Sequence, residues 1–358
     1  MFNLEPQHTL FDSVDHLLAP ATLSSLLGRS VSRVECRPMN GHSGLAGGQL
    51  SYVDTDAGRF VLKQMAITAD WVMFCTDDYL GRSVRLWQYG LLDELLPHLE
   101  HKIIAAAHDG DGWAILMEDL TGHVYTWDRP LTPEVVASFL DALARLHATF
   151  WNDPRLTDPC LGLAGTEPFL EQLPRAQNYN GPAMGVIADW IKEGWAVLAE
   201  LLASDVFAQM RRLIEEPQPL LAAVSRYPHT LLHGDYRAEN LAYDGWPIAL
   251  DWQQAARSLM TIDLAWITKH GYIQAAMSQD EAIRYYRQRL ELYLNQSFDD
   301  SEWQVMVDLG YAIDALRFAC FAAFFYKVDE LPERRAWNER VVNDLGQMVM
   351  GAMRWLEK

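Results

Sequence analysis

Val14 to Leu27 carries leucines at helical spacing and stops at Gly28, so a short helix is expected there. The pattern then changes. Ser32–Arg37, Leu50–Asp54 and Arg59–Gln64 are short and β-prone, separated by a glycine-rich run at 40–49 and by Asp56-Ala57-Gly58, which predicts a three-strand antiparallel meander. Tyr79–Leu96 returns to helical period, with Val84, Trp87, Leu91, Leu92 and Leu95 on one side. Ile103–His108 and Trp113–Met117 read as two more strands joined at Asp109-Gly110-Asp111-Gly112. Beyond Leu120 the chain is mainly helical. Pro133–Trp151 forms one long helix with Val136, Phe139, Leu140, Leu143, Leu146 and Phe150 inward, and Met184–Leu202 and Val206–Ile214 follow. A lone hairpin signal lies between Leu241 and Leu250, and helices then run to Leu356. A β-rich front with one helix and a helix-rich back predict an α+β chain of two unequal lobes with a cleft between them. The boundaries fall at 1–117 for the β-rich lobe, 118–121 for the connecting hinge and 122–358 for the helical lobe.

Composition narrows the partners. The chain has 358 residues, enough for two lobes, and its balance of 29 Lys and Arg against 48 Asp and Glu gives a formal charge of −19. A surface that acidic repels nucleic acid and anionic lipid, and no basic stripe overrides it. Cys36, Cys75, Cys160 and Cys320 stand singly, as reduced thiols do in a reducing compartment. Met1–His8 shows no signal-peptide pattern, and the apolar stretch Trp303–Tyr326 is broken by Asp308, Asp314 and Arg317, which makes it a core helix rather than a membrane span. The expected location is cytoplasmic, with neither nucleic acid nor membrane as partner.

The chemistry concentrates in Leu231-Leu232-His233-Gly234-Asp235-Tyr236-Arg237-Ala238-Glu239-Asn240-Leu241 and in Leu250-Asp251-Trp252-Gln253. Phosphoryl transfer needs a carboxylate to orient and deprotonate the attacking hydroxyl, and two oxygen ligands for Mg²⁺. Asp235 is placed as the base, Asn240 offers an amide oxygen to one metal, and Asp251 offers a full charge to the metal bridging the β- and γ-phosphates. Asp244-Gly245 is a tight-turn signal, so the flanking segments fold into a hairpin whose feet bring Asn240 and Asp251 together.

The H-G-D-x-x-x-x-N pattern at His233–Asn240, followed by Asp251, resembles the aminoglycoside phosphotransferase and choline kinase-like superfamily, whose members share the protein-kinase fold and phosphorylate small alcohols. By that resemblance Lys63, in Arg59-Phe60-Val61-Leu62-Lys63, holds the α- and β-phosphates of ATP or GTP. Gly44 and Gly47, with Gly41 and Gly48, would let backbone approach the phosphates. Ile115–Leu120 resembles the hinge, where backbone groups of Glu118 and Leu120 meet the adenine edge and Met117 sits behind the ring. Asp263, in Thr261-Ile262-Asp263-Leu264-Ala265, would cap a helix and brace the catalytic loop, and His233 is a second brace. His147 and Trp151, on the long helix, are expected to be packing residues.

One departure stands out. Related enzymes pair the strand lysine with a helix glutamate, often after arginine, whereas this chain reads Arg82-Ser83; Glu94 lies far along the helix, and Asp77 or Asp78 could substitute. A protein kinase is disfavoured because only Trp252–Ile262 separate Asp251 from Asp263, too short for a peptide-substrate platform. A catalytically weak nucleotide-binding regulator is the rival, opposed by the intact set of Lys63, Asp235, Asn240 and Asp251. The acceptor is expected to be a small-molecule hydroxyl of aminoglycoside, amino alcohol or sugar type. Trp190, Trp195, Trp252, Trp266, Tyr272, Tyr285 and Tyr286, with Asp280, Glu281 and Glu291, could hold a cationic amine, but their helical spacing favours core and solvated face.

Overall fold

The structure is a computed structural model that describes residues 4–39, 46–126, 129–176, 184–270 and 273–356. Gly41, Gly44 and Tyr272 lie outside these residues. The N-terminal third runs β1 (Leu10–Phe11), α1 (Val14–Leu17), α2 (Pro20–Leu27), β2 (Val34–Pro38), β3 (Gln49–Thr55), β4 (Gly58–Met65), α3 (Trp71–Cys75), α4 (Arg82–Gln88), β5 (Ile103–Asp109) and β6 (Gly112–Glu118). The predicted Val14–Leu27 helix is in two pieces because Pro20 has no amide hydrogen and starts a new helix at its first turn. All six strands form one sheet in the order β1-β5-β6-β4-β3-β2, antiparallel except for β1 on β5. The expected meander is β2–β3–β4, with Lys63 opposite Leu50 on one side and Ile115 on the other.

Strand alternation decides which way the sheet faces. Phe60 and Leu62 join Val53, Leu116, Leu17 and Leu23 in a small core under α1 and α2. Each of these buried side chains contributes about 1.5–3 kcal/mol. Met65, Ile115 and Trp113 belong to the main core shared with the helical part. Lys63, two residues before Met65, is on this second face.

The Tyr79–Leu96 helix is shorter than its pattern predicts. α4 covers Arg82–Gln88, and the chain turns at Gly90 with φ 75°. Leu91, Leu92 and Leu95 stay buried, but in turns and a single 3₁₀ turn, so the apolar period outlasts the helix. The periodicity also gave no sign of α3, which Asp70 caps at its N-terminus.

The larger part is helical: α5 (Pro133–Thr149), α6 (Thr166–Leu170), α7 (Gln172–Ala176), α8 (Met184–Leu201), α9 (Ser204–Glu215), α10 (Gln218–Val224), α11 (Thr261–His270), α12 (Gln279–Leu294), α13 (Asp300–Val328) and α14 (Pro332–Leu356). Two short ribbons interrupt it, β7 (Thr230–Leu232) with β10 (Ala256–Ser258), and β8 (Leu241–Tyr243) with β9 (Pro247–Ala249). α13 is buried along most of its length and packs on α8, α11 and α14. At two of these crossings only glycine fits: a Cβ on Gly194 would stand 1.9 Å from the Cys320 carbonyl oxygen, and one on Gly310 2.2 Å from Thr261 Oγ1. Among the described residues no helix is long and apolar enough to cross a membrane.

Candidate active site

The β8–β9 hairpin turns through Asp244-Gly245-Trp246, one residue more than a tight turn at Asp244-Gly245 requires, with Gly245 at φ 77°. Its feet are tied together by the Leu250 amide, which donates to the Asn240 carbonyl at 2.8 Å. Both edges are held from outside. Glu100 exchanges bonds with Pro247 and Ala249 at 2.9 and 2.8 Å, and the Tyr125 amide donates to Leu241 at 3.0 Å. Asn240 and Asp251 are thereby brought to one end of a fixed ribbon, as the turn signal implies.

β7 delivers His233, Gly234 and Asp235. Gly234 has φ 81°, and a Cβ there would meet the Gln254 carbonyl oxygen at 2.0 Å. The loop before β10 presses so closely on the chain at Gly234 that no side chain fits, which is the physical reason for glycine between His233 and Asp235. Asp263, fully buried at the start of α11, accepts the His233 amide at 2.7 Å and the Gly234 amide at 2.8 Å. It lies within the first turn of α11 rather than capping it, because both carboxylate oxygens are taken by the loop, one on each of two consecutive amides. His147 is more than packing: its ring reaches Asp263 at 3.3 Å and the Tyr286 hydroxyl at 2.6 Å. The buried His233 ring donates from Nε2 to the Leu250 carbonyl at 2.9 Å and accepts the Asp235 amide on Nδ1 at 3.3 Å. Burial holds this imidazole below the ordinary histidine pKa, in keeping with a neutral ring.

Asp235 is nearly buried. Trp266 Nε1 donates to its Oδ1 at 2.7 Å, Arg237 stands 3.1 Å from the same oxygen, and Asn240 Nδ2 donates to Oδ2 at 2.8 Å. Asn240 Nδ2 also donates to the Asp235 carbonyl at 2.9 Å, so both amide hydrogens are engaged and Oδ1 is the atom left as an acceptor. Arg317, buried on α13 between the rings of Phe169 and Trp266, donates to Gln254 Oε1 at 2.7 Å and to the Gly234 carbonyl at 3.4 Å. Burial lowers its pKa to about 10. Trp266 and Arg317 were not singled out for these roles from sequence, although Arg317 is visible there as a charge interrupting the apolar run of α13.

Lys63 crosses from the sheet to the hairpin. Its Nζ donates to Asp251 Oδ1 at 2.7 Å and to Gln253 Oε1 at 3.0 Å. Asp251 sits at φ 63°, and its side chain keeps 38 % exposure. Partial desolvation pushes its carboxyl up, but the Lys63 ammonium outweighs that and holds it below the usual range. Gly47, at φ 103°, touches the segment before α3, where a Cβ would stand 2.1 Å from the Ala69 carbonyl oxygen. Asp70, beside this contact, is fully buried; its Oδ1 caps α3 through the Val72 and Met73 amides at 2.9 and 3.1 Å, while Oδ2 makes no close hydrogen bond. Burial pushes its pKa up to about 6 against the pull of Gln253, the Met73 amide and Lys63.

None of the acids considered as substitutes for the helix glutamate bonds Lys63. Asp77 forms a bidentate pair with Arg175 at 2.6 Å, Glu94 pairs with Arg155 at 2.6 Å, and Asp78 accepts the Arg82 amide at 2.9 Å. Arg82 itself is buried and bridges three segments, donating to the carbonyls of Thr76 at 2.7 Å, Gly162 at 3.1 Å and Ala255 at 3.5 Å.

At the end of β6, Met117 is partly buried. The Glu118 amide donates to the Lys102 carbonyl at 3.0 Å, and the Leu120 carbonyl accepts the His123 amide at 2.9 Å. Those bonds leave the Glu118 carbonyl and the Leu120 amide. Among the acceptor-side aromatics, Trp252 and Tyr286 are core residues, Trp190 stacks on Phe324, and Glu281 completes the capping box of α12. Most of that group is therefore core or helix cap, as its spacing indicates.

A six-stranded sheet with Lys63 on its inner face, set against a helical part that carries His233–Asn240 and Asp251, is the architecture of protein-kinase-like phosphotransferases. The family model of the phosphotransferase enzyme family matches residues 42–299, and the chain belongs to that family. Similar solved structures include a choline kinase from Cryptosporidium parvum Iowa II (TM-score 0.52, 13 % identity, 91 % of this chain and 94 % of that one). A protein assigned as an aminoglycoside phosphotransferase from Ralstonia eutropha JMP134 gives TM-score 0.51 at 15 % identity, over 90 % and 93 % of the two chains. A microcompartment-associated aminopropanol kinase gives TM-score 0.50 at 12 % identity, over 92 % and 96 %. At such identities these structures speak to fold. No curated protein matches the chain.

Proposed function

We propose that this chain transfers the γ-phosphoryl group of Mg-ATP to a hydroxyl of a small alcohol of the aminoglycoside, amino alcohol or sugar kind. The carrying observation is the convergence of Asp235, Asn240, Asp251 and Lys63 through bonds of 2.7–2.9 Å in a protein of the phosphotransferase enzyme family. In this reading residues 1–117 and 122–358 are the two lobes and 118–121 the hinge, where the Glu118 carbonyl and Leu120 amide meet the adenine edge beside Met117. Lys63 grips the α- and β-phosphates, and Gly44 and Gly47 belong to the loop above them.

The donor set suits a hard divalent cation: Asn240 keeps an amide oxygen, and Asp251 is a carboxylate already drawing a cationic nitrogen to 2.7 Å. Asn240 Oδ1 and Asp251 would hold Mg²⁺, which when bound supplies positive charge across the β- and γ-phosphates. Asp235 orients the acceptor hydroxyl and takes its proton. Trp266, Arg237 and Asn240 fix that carboxylate, and Asp263 and His233 fix the loop beneath it, so little reorganisation is left for the transfer itself. A cytoplasmic setting, where ATP is supplied, goes with this reading.

The test is titration calorimetry of Mg-ATP with wild type, Asp235→Asn and Asp251→Ala, beside an ADP-release screen over small alcohols. Asp251→Ala should lose Mg-nucleotide binding and turnover. Asp235→Asn should keep affinity within a few-fold and lose turnover by on the order of 10² or more. Equal rates for Asp235→Asn and wild type would remove Asp235 as the base. Tight Mg-ATP binding with no transfer to any alcohol would favour the regulator, a reading motivated by the engagement of Asp77, Asp78 and Glu94 elsewhere.

A further inference from the structure

We infer that Asp70 is the carboxylate that positions Lys63 in this protein, standing in for the helix glutamate that Arg82-Ser83 lacks; this rests on the nucleotide-binding reading above. Three observations converge. Asp70 is fully buried and its Oδ1 is engaged as the α3 cap, whereas Oδ2 makes no close hydrogen bond and draws on the Gln253 side chain and the Lys63 charge, an expensive condition for a buried carboxylate unless a cation is near. That oxygen and the lysine share one neighbour: the Cβ position at Gly48 lies 3.8 Å from Asp70 Oδ2 and 3.6 Å from Lys63 Cε. The two atoms are no farther apart than the sum of those distances, and the Lys63 charge acts on the Asp70 carboxylate. Gln253 links the two, with Oε1 on Lys63 at 3.0 Å and its side chain supporting the Asp70 carboxylate.

Lys63 thus stands between two carboxylates with different duties. Asp251 is exposed and carries the ligand chemistry of the hairpin. Asp70 is enclosed, has one oxygen to spare and is fastened to the glycine loop, since the Trp71 amide donates to the Ala46 carbonyl at 3.0 Å and Gly47 rests on Ala69. A carboxylate fixed to that loop sets the direction of the lysine relative to the phosphates the loop would cover. An N-cap aspartate, rather than a mid-helix glutamate, makes the pair here.

A double-mutant cycle tests this with Mg²⁺ present, ADP affinity being measured by calorimetry. Asp70→Asn keeps a capping oxygen and removes the charge; Asp70→Ser is a second cap-preserving variant should the first fold poorly. In the Lys63 background either change should weaken ADP binding by about tenfold, and in Lys63→Met by less than about twofold, because a residue acting through Lys63 has nothing to position once Lys63 is gone. A merely structural cap would weaken binding equally in both backgrounds, which would overturn the inference, as would no weakening in either. If wild type binds ADP and the cycle is additive, the inference fails and the kinase reading stands. If wild type binds no nucleotide, both fail.

Discussion

Removing the Asp263 carboxylate should loosen the loop at His233 and Gly234. Asp263→Ala strips the acceptors from the His233 and Gly234 amides, bonded at 2.7 and 2.8 Å, and leaves the His147 ring without its carboxylate. An orphaned buried donor costs about 1–3 kcal/mol, and all three groups are enclosed, so a loss of about 3–5 kcal/mol follows, allowing for some water in the space created. At about 2–3 °C per kcal/mol for a chain of this size, the midpoint should fall by roughly 6–15 °C. Asp263→Asn keeps one carbonyl oxygen but turns an NH₂ toward one of the two amides, so it should cost about half as much. Thermal unfolding of nucleotide-free protein gives the totals, and hydrogen exchange at His233 and Gly234 locates the change. If Asp263→Ala costs less than about 1 kcal/mol, or the two amides exchange no faster, the loop does not hang on this carboxylate and the bracing argument is wrong.

Gly234→Ala should destabilise by about 2–4 kcal/mol, since it adds left-handed strain to a 2.0 Å approach to the Gln254 carbonyl; a midpoint within 2 °C of wild type would show that the two segments can part. The His233 ring should titrate below the ordinary histidine range of about 6.5 when followed by NMR. Because its folded pKa is lowered, its contribution to stability is full above the unfolded value and is lost as pH falls through the folded one; a ring titrating at or above 6.5 would contradict the neutral tautomer. Arg82→Met leaves Asp78 buried with its cation, 3.7 Å away, removed, and should cost about 3 kcal/mol. Adding Asp78→Asn should recover part of that in calorimetry, and no recovery would mean that Arg82 matters only through the carbonyls it bridges.

Spacing alone was enough to bring Asp235, Asn240 and Asp251 to one place, because a hairpin turn and two chain segments determine their convergence. The same holds for β2–β4, where alternation with turn residues leaves one arrangement. What stayed hidden was set by contacts distant in sequence. Asp70 precedes a five-residue helix too short to show a period, and its relevance to Lys63 exists only once Ala46, Gly47 and Gly48 pack beside the start of α3. Trp266 has the spacing of a core residue and is one, except for the single indole nitrogen that meets Asp235. The Tyr79–Leu96 pattern misled in a different way: burial demands apolar residues whether the backbone is helical or turning, so the period continued past Gly90 while the helix did not.

The backbone-to-backbone crossings of α13 with α8 and α11 limit how this protein can change. With Gly194 against the Cys320 carbonyl and Gly310 against Thr261, no layer of side chains lies at those two points to be trimmed or enlarged. Arg317, on the same helix, holds the loop that carries Asp235, so sliding α13 to make room would displace that carboxylate. The back wall of the helical part is consequently fixed, and a drift toward a new acceptor has to be written in the segments that do not share those crossings.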